Sequence, residues 1–400
     1  MDLIASMQPS KDARPATIAD LAQILADAVA SGLSVTAIGG GTHLALGRST
    51  RAPNIVLHTT ELRDVVEHTP DDMTISVEAG MRIAELRELL ARHRSRLPID
   101  VETPERATIG GAVSFGAVGP RRLGIGTLRD YLIGARFAQP DGRVVKTGGM
   151  VVKNVSGYDL TRMLHGSAGA LGVIGSLNFK LAPMPASQAA VVFTLSQPGE
   201  ALAAASAIVG TRLPFAAVHA RSDGTVVVGC EGHVADAKRL RAEARAVAMR
   251  HGATERESVE GESDVNAAWR DFAAAPFGDR TTTFRVVSTQ SRIAADIGRA
   301  AETARSMRFE PVWSADAGCG TAELSIDCAD RSDDIVRLER ELTEMVNLRV
   351  TRCPIALRSS LVLHGRPPAG ARLMRLLKSQ FDPTGVLSGA PFADKSQTDG

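Results

Sequence analysis

The chain has 400 residues, and its 46 Lys and Arg nearly balance its 45 Asp and Glu, which leaves a formal net charge of +1. This balance argues against a nucleic-acid-binding protein, which usually carries a basic face, and an aromatic content of 4% is too low for a base-stacking platform. Neither an apolar run of about 18 residues nor a signal peptide is visible. The length favours two or three domains, and we expect a cytoplasmic protein whose partner is a small molecule or another protein.

Elements in the first 185 residues alternate between helices and short strands. Helical spacing of apolar residues after Pro15 and Thr17 predicts a first helix, and Gln139-Pro140-Asp141-Gly142 predicts a hairpin turn. Pro183-Met184-Pro185 is typical of a boundary. The predicted helices are 18–30 and 83–93, and the predicted strands are 35–38, 54–58, 74–78, 131–138, 144–147 and 178–181.

The second half shows a repeated order of elements that predicts two βαββα sets. A polar segment, 252–281, joins the sets, and a helix at 369–379 and a polar, frayed tail follow them. The first set comprises strand 189–195, helix 199–209, strand 215–221, strand 225–230 and helix 233–250. The second comprises strand 283–288, helix 292–306, strand 309–313, strand 321–327 and helix 332–346. The whole pattern predicts an α+β fold.

The cysteines are far apart and include no CxxC pair. Iron–sulfur clusters and structural zinc sites need clustered thiolates. The spacing therefore predicts no metal site in this chain. It predicts reduced thiols at Cys230, Cys319, Cys328 and Cys353.

The first candidate site is a glycine-rich loop after the strand predicted at 35–38. Successive glycines at a strand end can present backbone N–H groups to a phosphate or pyrophosphate, although a plain tight turn explains the loop equally well. The glycine spacing does not fit the GxGxxG of a nicotinamide-binding fold. The loop consists of Gly39, Gly40, Gly41, Thr42 and His43.

A second candidate runs from Thr108 to Arg122. Adjacent glycines bring backbone amides near a ligand, and a serine hydroxyl follows one helical turn later. Arg121 and Arg122 could reach a phosphate, a carboxylate or a partner, but solvated surface arginines are the plainer interpretation. The ligand-lining residues of this candidate are Thr108, Gly110, Gly111 and Ser114.

A third candidate, Lys153–Gly175, contains a glycine at every third position from Gly166 onward. Small residues at this density let the backbone approach another surface closely, since no Cβ stands in the way. Its charged residues exclude a membrane helix. We therefore expect a bulky group to lie against this stretch.

Together these stretches resemble the FAD-binding domain of the vanillyl-alcohol oxidase / p-cresol methylhydroxylase (PCMH-type) family. The likeness rests on GGGTH, TIGGAVS, GPRRLGIGTLRDYLIG, PDGRVV and KNVSGYDLTRMLHGSAGALGVIGSLNFKLAP, and it returns in the closing segment FDPTGVL, Phe381–Leu387. Within the family, the FAD-binding subunits of glycolate oxidases are the most similar group. The resemblance implies an FAD-binding domain over 1–185, a cap domain over 186–368, and a C-terminal helix and FDP segment over 369–400 that return to the FAD domain.

The resemblance also implies a role for each candidate stretch. The loop Gly39–His43 would hold the FAD pyrophosphate, and Thr108, Gly110, Gly111 and Ser114 would line the other side of the cofactor. Backbone groups along the FAD would come from Gly172, Val173 and Ile174. Some members join the flavin covalently to a loop histidine, but Thr42 stands at that position here, so we expect non-covalent FAD.

The cap departs from the pattern of family members that oxidise 2-hydroxy acids alone, because residues 186–380 lack their HxGDGNxH segment. The histidines there are scattered singly, and single histidines are more often structural than catalytic. Arginines that could clamp a carboxylate are Arg285, Arg349, Arg352 and Arg358. No catalytic residue can be assigned.

We therefore expect an FAD-binding subunit of a glycolate-oxidising complex, which oxidises the substrate itself or relays electrons from a sister flavoprotein to an iron–sulfur subunit. The alternatives are a self-sufficient FAD-dependent oxidoreductase of another small alcohol or sugar acid, and a scaffold subunit that keeps the flavin fold. Through such partners the chain could lie at the periphery of the inner membrane.

Overall fold

A computed structural model of the chain describes residues 9–43, 53–151, 158–273, 278, 281–328, 331–363 and 365–388, except for the side chains of 270–273 and 355. The chain divides into two compact units. The first contains Met1–Val118, Thr127–Met184 and Pro367–Gly400, and the second contains Gly119–Gly126 and Pro185–Arg366. The chain therefore passes from one unit to the other after residues 118, 126, 184 and 366. The predicted frayed tail, 389–400, lies outside the described residues.

The strands are numbered in chain order. They are β1 Lys11–Ala13, β2 Val35–Ile38, β3 Ile55–His58, β4 Val65–Thr69, β5 Thr74–Glu78, β6 Ser95–Arg96, β7 Leu132–Ala138, β8 Val144–Gly148, β9 Val173–Lys180, β10 Ala182–Pro183, β11 Ser187–Thr194, β12 Ala217–Arg221, β13 Thr225–Gly232, β14 Thr254–Glu260, β15 Thr281–Val287, β16 Val312–Asp316, β17 Thr321–Asp327 and β18 Asn347–Arg352.

The α-helices are also numbered in chain order. They are α1 Ile18–Ala30, α2 Ile83–Ala91, α3 Ile109–Phe115, α4 Arg122–Ile125, α5 Leu128–Tyr131, α6 Leu160–Leu164, α7 Pro198–Gly210, α8 Val234–Arg250, α9 Glu262–Ala273, α10 Ile293–Ser306, α11 Ser332–Met345 and α12 Ala371–Phe381. Within the described ranges, none of these helices is long and apolar enough to cross a membrane.

In the first unit, a parallel sheet of order β1-β3-β2 accompanies an antiparallel sheet of order β4-β5-β9-β7-β8. Helix α1 has the predicted bounds because Thr17 and Asp20 form a reciprocal capping box at its start. Its Leu21 and Leu25 are fully buried, which stabilises the fold by about 1.5–3 kcal/mol for each side chain. Strands β2 and β5 also have the predicted bounds.

The closing segment of the chain completes the parallel sheet. Val35 at the start of β2 donates its N–H to Val386 O at 2.8 Å and accepts a hydrogen bond from Ser388 N at 2.9 Å. Leu387 thereby forms a parallel bridge with Val35. A segment more than 340 residues later in the chain is thus part of the sheet that leads into the glycine-rich loop.

In the second unit, one antiparallel sheet has the order β14-β11-β13-β12-β16-β17-β15-β18. The predicted repeat is present, but each set is a βαββαβ unit that ends in a further strand. The two halves of the sheet, β14-β11-β13-β12 and β16-β17-β15-β18, have mirrored orders and meet where β12 pairs with β16. The α+β fold class is confirmed.

The expectation of a plain polar segment at 252–281 is wrong, because this stretch contains β14 and α9. Strand β14 reads TERESVE and is mostly exposed, so it lacks the apolar alternation by which strands are recognised. It pairs with β11 on an edge of the sheet. Ion pairs from α8, Arg241 to Glu260 and Arg245 to Glu255, attach it to the unit instead.

Residues 119–126 belong to the second unit, although the sequence-based division assigns them to the FAD domain. Gly124 N donates to Ala216 O at 3.0 Å, and a Cβ on Gly124 would lie 2.6 Å from the Ala216 Cα. His219 Nε2 lies 2.7 Å from Pro120 O. These contacts tie the segment to β12, whereas the division at 185 remains a prediction for the functional domains.

Candidate functional site

The glycine-rich loop packs backbone against backbone on the segment that enters α3. A Cβ on Gly39 would lie 2.1 Å from Thr108 Oγ1, and a Cβ on Gly40 would lie 1.7 Å from Arg106 O. Any side chain here would separate the two segments. Glycine is therefore required at both positions by the protein's own packing.

The loop's N–H groups remain available to a ligand. Among the described residues, the amides of Gly40, Gly41 and Thr42 donate no backbone hydrogen bond. His43 is held at the loop's end, since its Nδ1 lies 3.0 Å from Thr42 Oγ1 and its ring stacks on Phe115 at 4.5 Å. Successive unused amides in such a turn form an anion-binding concavity.

The second stretch forms the start of α3. Thr108 caps this helix, and its Oγ1 accepts a hydrogen bond from Gly111 N at 3.3 Å. Gly110 N donates to Ala79 O at 2.8 Å, and a Cβ on Gly110 would lie 2.6 Å from the Ala79 Cβ. By contrast, a Cβ on Gly111 would meet only Thr108 Oγ1, at 3.0 Å. Gly110 thus serves packing, while the face at Gly111 is open.

The structure describes the third stretch from residue 158 onward. Residues 153–157 lie outside the described residues. The turn of the third stretch joins α3 through two backbone hydrogen bonds, from Gly166 N to Val113 O at 3.0 Å and from Ala168 N to Ser114 O at 2.7 Å. The structure therefore brings the second and third candidates together, and Phe115 connects both to the loop through His43.

Two glycines of this stretch, Gly172 and Gly175, are closely packed within the chain. A Cβ on Gly172 would lie 2.6 Å from Phe137 Cδ2, and one on Gly175 would lie 2.4 Å from Ile18 Cδ1. Both glycines therefore accommodate side chains of the same chain. Gly166 and Gly169 differ, because a Cβ at either would meet no atom of the described residues within 4 Å.

The two residues after Gly172 open β9. Val173 and Ile174 pair with Ala138 and Phe137 of β7, and their side chains are buried in apolar clusters. Only their backbone can therefore contact a ligand, which is the kind of contact that the resemblance implies.

The third stretch also contains an imidazole that the sequence interpretation did not single out, that of His165. His165 Nε2 is buried and has no hydrogen-bond partner within the described ranges. Leaving such a group unpaired costs about 1–3 kcal/mol. Burial lowers the pKa of His165, Arg129 lowers it further, and Asp130 opposes both.

A buried ion pair fixes the closing segment to the third stretch. Lys378 Nζ on α12 donates to Asp382 Oδ2 at 2.5 Å, to Leu387 O at 2.9 Å and to Ala170 O at 3.0 Å. The Asp382 carboxylate in turn accepts hydrogen bonds from Val386 N and Leu387 N. Burial lowers the pKa of Lys378, and the hydrogen bond and charge of Asp382 act in the opposite direction. We name this arrangement the Lys378–Asp382 clamp.

Polar candidates of the second unit are engaged in structural contacts. Arg121 is 9% exposed and donates to Gln188 Oε1 at 3.1 Å and to Asn266 Oδ1 at 3.0 Å, so its interpretation as a solvated surface arginine is wrong. Arg285 pairs with Glu323. His364 lies outside the described residues. No group of three or more potential metal ligands occurs in the part of the chain that the structure describes.

Comparison with known proteins places the first unit in a family. A family model described as FAD binding domain matches residues 9–148. The chain is 37% identical over 126 residues to the glycolate oxidase subunit GlcE of Escherichia coli, covering 31% of this chain and 35% of that protein. It is 33% identical over 170 residues to a D-lactate dehydrogenase of Archaeoglobus fulgidus, covering 42% and 38%. The matched regions thus span little more than a third of these relatives.

Two longer matches cover both units. The chain is 25% identical to the uncharacterized FAD-linked oxidoreductase Rv2280 of Mycobacterium tuberculosis, over 97% of this chain and 92% of that protein. A solved structure of alkyldihydroxyacetonephosphate synthase shares the fold with a TM-score of 0.71 and 13% identity. The match covers 94% of this chain and 75% of the synthase chain. The match over residues 9–148 identifies an FAD binding domain of the PCMH type in the first unit.

The residues present fit an FAD. The unused loop amides suit a pyrophosphate, the open faces at Gly111, Gly166 and Gly169 leave room for an extended ligand, and the buried Nε2 of His165 lacks a partner within the described ranges. These groups belong to stretches that hydrogen bonds and ring stacking hold together within the first unit.

The Lys378–Asp382 clamp gives a test of what holds this site together. We expect Lys378→Met to lower the free energy of unfolding by about 3 kcal/mol, because it leaves the Asp382 carboxylate buried without its cation. Urea unfolding followed by far-UV circular dichroism measures this change. Arg372→Met, at an exposed position of the same helix, is the matched control and should change stability by less than about 0.5 kcal/mol. Equal transition midpoints for the two variants would contradict a stabilising clamp.

Proposed function

We propose that this chain is the FAD-binding subunit of a complex that oxidises glycolate or a similar 2-hydroxy acid. The observation that carries the proposal is the convergence of three glycine-containing stretches in the first unit, two of which lie within the residues that match the FAD binding domain. The similarity to the glycolate oxidase subunit GlcE and to D-lactate dehydrogenases supports the substrate class.

Each stretch has its own part in binding the cofactor. The amides of Gly39–His43 hold the pyrophosphate, and the backbone of 172–174 lies along the extended FAD. FAD, when bound, supplies an acceptor for the hydride of the substrate α-carbon. The second stretch lines the opposite side with Thr108, Gly110, Gly111 and Ser114.

The flavin is held without a covalent bond. Thr42 occupies the loop position at which some family members carry the linking histidine. His43, one residue later, has Nδ1 within 3.0 Å of the Thr42 hydroxyl and a ring face covered by Phe115. These contacts support a structural role for His43 in the loop.

Electrons leave the flavin for an iron–sulfur cluster on a separate subunit. The four cysteines of this chain have no cluster-binding spacing. Burial raises the pKa of the Cys230 thiol to about 12, and burial with the nearby Asp316 raises that of Cys319 to about 12, which disfavours the thiolate that metals bind. A sister flavoprotein completes the proposed complex.

The division of labour within this complex can be measured by anaerobic mixing. Because residues 186–380 lack the HxGDGNxH segment, we expect glycolate or D-lactate to leave the flavin of the isolated chain oxidised. The same substrates should bleach the visible flavin absorbance of the complex co-purified from the native host. Bleaching of the isolated chain would support a self-sufficient oxidoreductase instead, and a colourless protein that takes up no FAD would support the scaffold alternative.

Gly111 provides the cleanest test of the cofactor position. Gly111→Val should abolish FAD retention, because its side chain enters the open face at the start of α3 while meeting only Thr108 in the protein itself. Bound FAD is measured by absorbance after gel filtration. Gly298→Val in α10 of the second unit, where a Cβ would meet no atom of the described residues within 4 Å, is the control and should retain FAD.

The readout separates cofactor loss from unfolding. Both tryptophans, Trp269 and Trp313, lie in the second unit, so their fluorescence should be unchanged in Gly111→Val. Normal FAD content in this variant would contradict the proposed site. Gly172→Val is less informative than the sequence suggests, since its side chain would collide with Phe137 whether or not FAD binds.

Acid denaturation tests the non-covalent attachment. We expect trichloroacetic acid to release all flavin from the wild-type protein into the supernatant, and His43→Ala to release the same fraction of its bound flavin. Flavin that stays with the precipitated wild-type chain, and is released only in His43→Ala, would contradict this expectation.

A further inference from the structure

The imidazole of His165 occupies a seam between two of the cofactor-binding stretches. It follows α6 directly, and its ring lies against Gly116, where a Cβ would come within 3.3 Å of His165 Cε1. The backbone bonds from Gly166 to Val113 and from Ala168 to Ser114 fix the turn in which it stands. The ring is therefore held between α3 and the third stretch.

Two further features of this turn favour contact with a ligand. Ala168 adopts a positive φ of 51°, a strained conformation for a residue with a Cβ, and such strain is often concentrated at functional sites. Gly166 and Gly169, on either side of it, face open space. The fold constrains the backbone of this turn, yet the described residues leave part of the turn's surface exposed.

The two ring nitrogens of a neutral imidazole differ, because one carries the proton and the other is an acceptor. Nε2 of His165 is buried and has no hydrogen-bond partner among the described residues. It is therefore the ring nitrogen whose hydrogen bond a ligand group can supply.

We propose that His165 Nε2 accepts a hydrogen bond from a hydroxyl or imide N–H group of bound FAD. This inference rests on the proposed function, because it assigns the residue to the same cofactor. It adds a fourth polar contact to the three stretches, made by a side chain where the others use backbone.

This contact depends on pH with a defined sign. Two charged groups of α5, Arg129 and Asp130, act on His165 directly. Arg162 of α6 interacts with Asp130. The titratable ring of His43 stacks on the far side of Phe115. Burial and Arg129 hold the pKa of His165 below its ordinary value. Protonation converts Nε2 from an acceptor into a donor, so FAD affinity is full above this pKa and falls as the pH drops through it.

The experiment is a titration of apoprotein with FAD, followed by quenching of FAD fluorescence between about pH 5 and pH 8. His165→Leu removes the acceptor and should raise the FAD Kd about tenfold at the upper end of this range. His165→Gln keeps an acceptor that does not titrate. Its Kd for FAD should stay within about threefold of the wild-type value at the upper end of the range, and it should not rise at low pH. His251→Gln, at an exposed histidine of the second unit, is the control and should keep that rise.

The outcomes distinguish this inference from the proposed function. A wild-type protein that takes up no FAD at any pH would overturn both. FAD binding that is equally strong in wild type and His165→Leu, with the same pH profile, would overturn the assignment of His165 and leave the proposed function standing. If His165→Leu does not fold, a rise in Kd at low pH that persists in His165→Gln would overturn it.

Discussion

Direct backbone packing between segments far apart in sequence is the constraint on which the first unit depends. Gly40 lies on the carbonyl of Arg106, and Gly110 lies on Ala79, at distances that no side chain allows. The loop therefore packs on the protein through its Cα atoms, while the amides of Gly40, Gly41 and Thr42 donate no backbone hydrogen bond to the described residues. The same packing that orders the loop thus makes it an anion-binding surface, because the amides are fixed before a ligand arrives.

The sequence predicted the fold well wherever apolar periodicity was strong. Helix α1 and strand β2 were predicted with their observed bounds, and the repeat of the second unit was recognised from its order of elements. Strand β14 was missed because it is a polar edge strand that ion pairs hold in place, and such pairs involve residues distant in the chain. The early start of β9 was missed because Gly172 and Gly175 interrupt its pattern, although in the structure they let Phe137 and Ile18 approach.

For the candidate site, the sequence predicted which stretches matter but not why each residue is there. The glycine spacing after Gly166 suggested one role for all, whereas the structure separates the packed glycines from the open ones. His165 was overlooked because a single histidine carries no pattern, and its burial and missing partner are visible only in three dimensions. The spacing of Lys378 and Asp382, one helical turn apart, was a usable signal, but nothing local shows that Lys378 reaches Ala170.

The Lys378–Asp382 clamp has a consequence for the order in which the protein matures on the ribosome. The first unit begins near the N-terminus, yet its parallel sheet lacks Val386 and Leu387 until the last part of the chain has been made. The longer segment of the second unit, Pro185–Arg366, is synthesised in between. Domains usually fold in the order of their synthesis. Here the unit that starts first also needs a segment that follows Arg366, so its parallel sheet can be completed only after its neighbour has been translated.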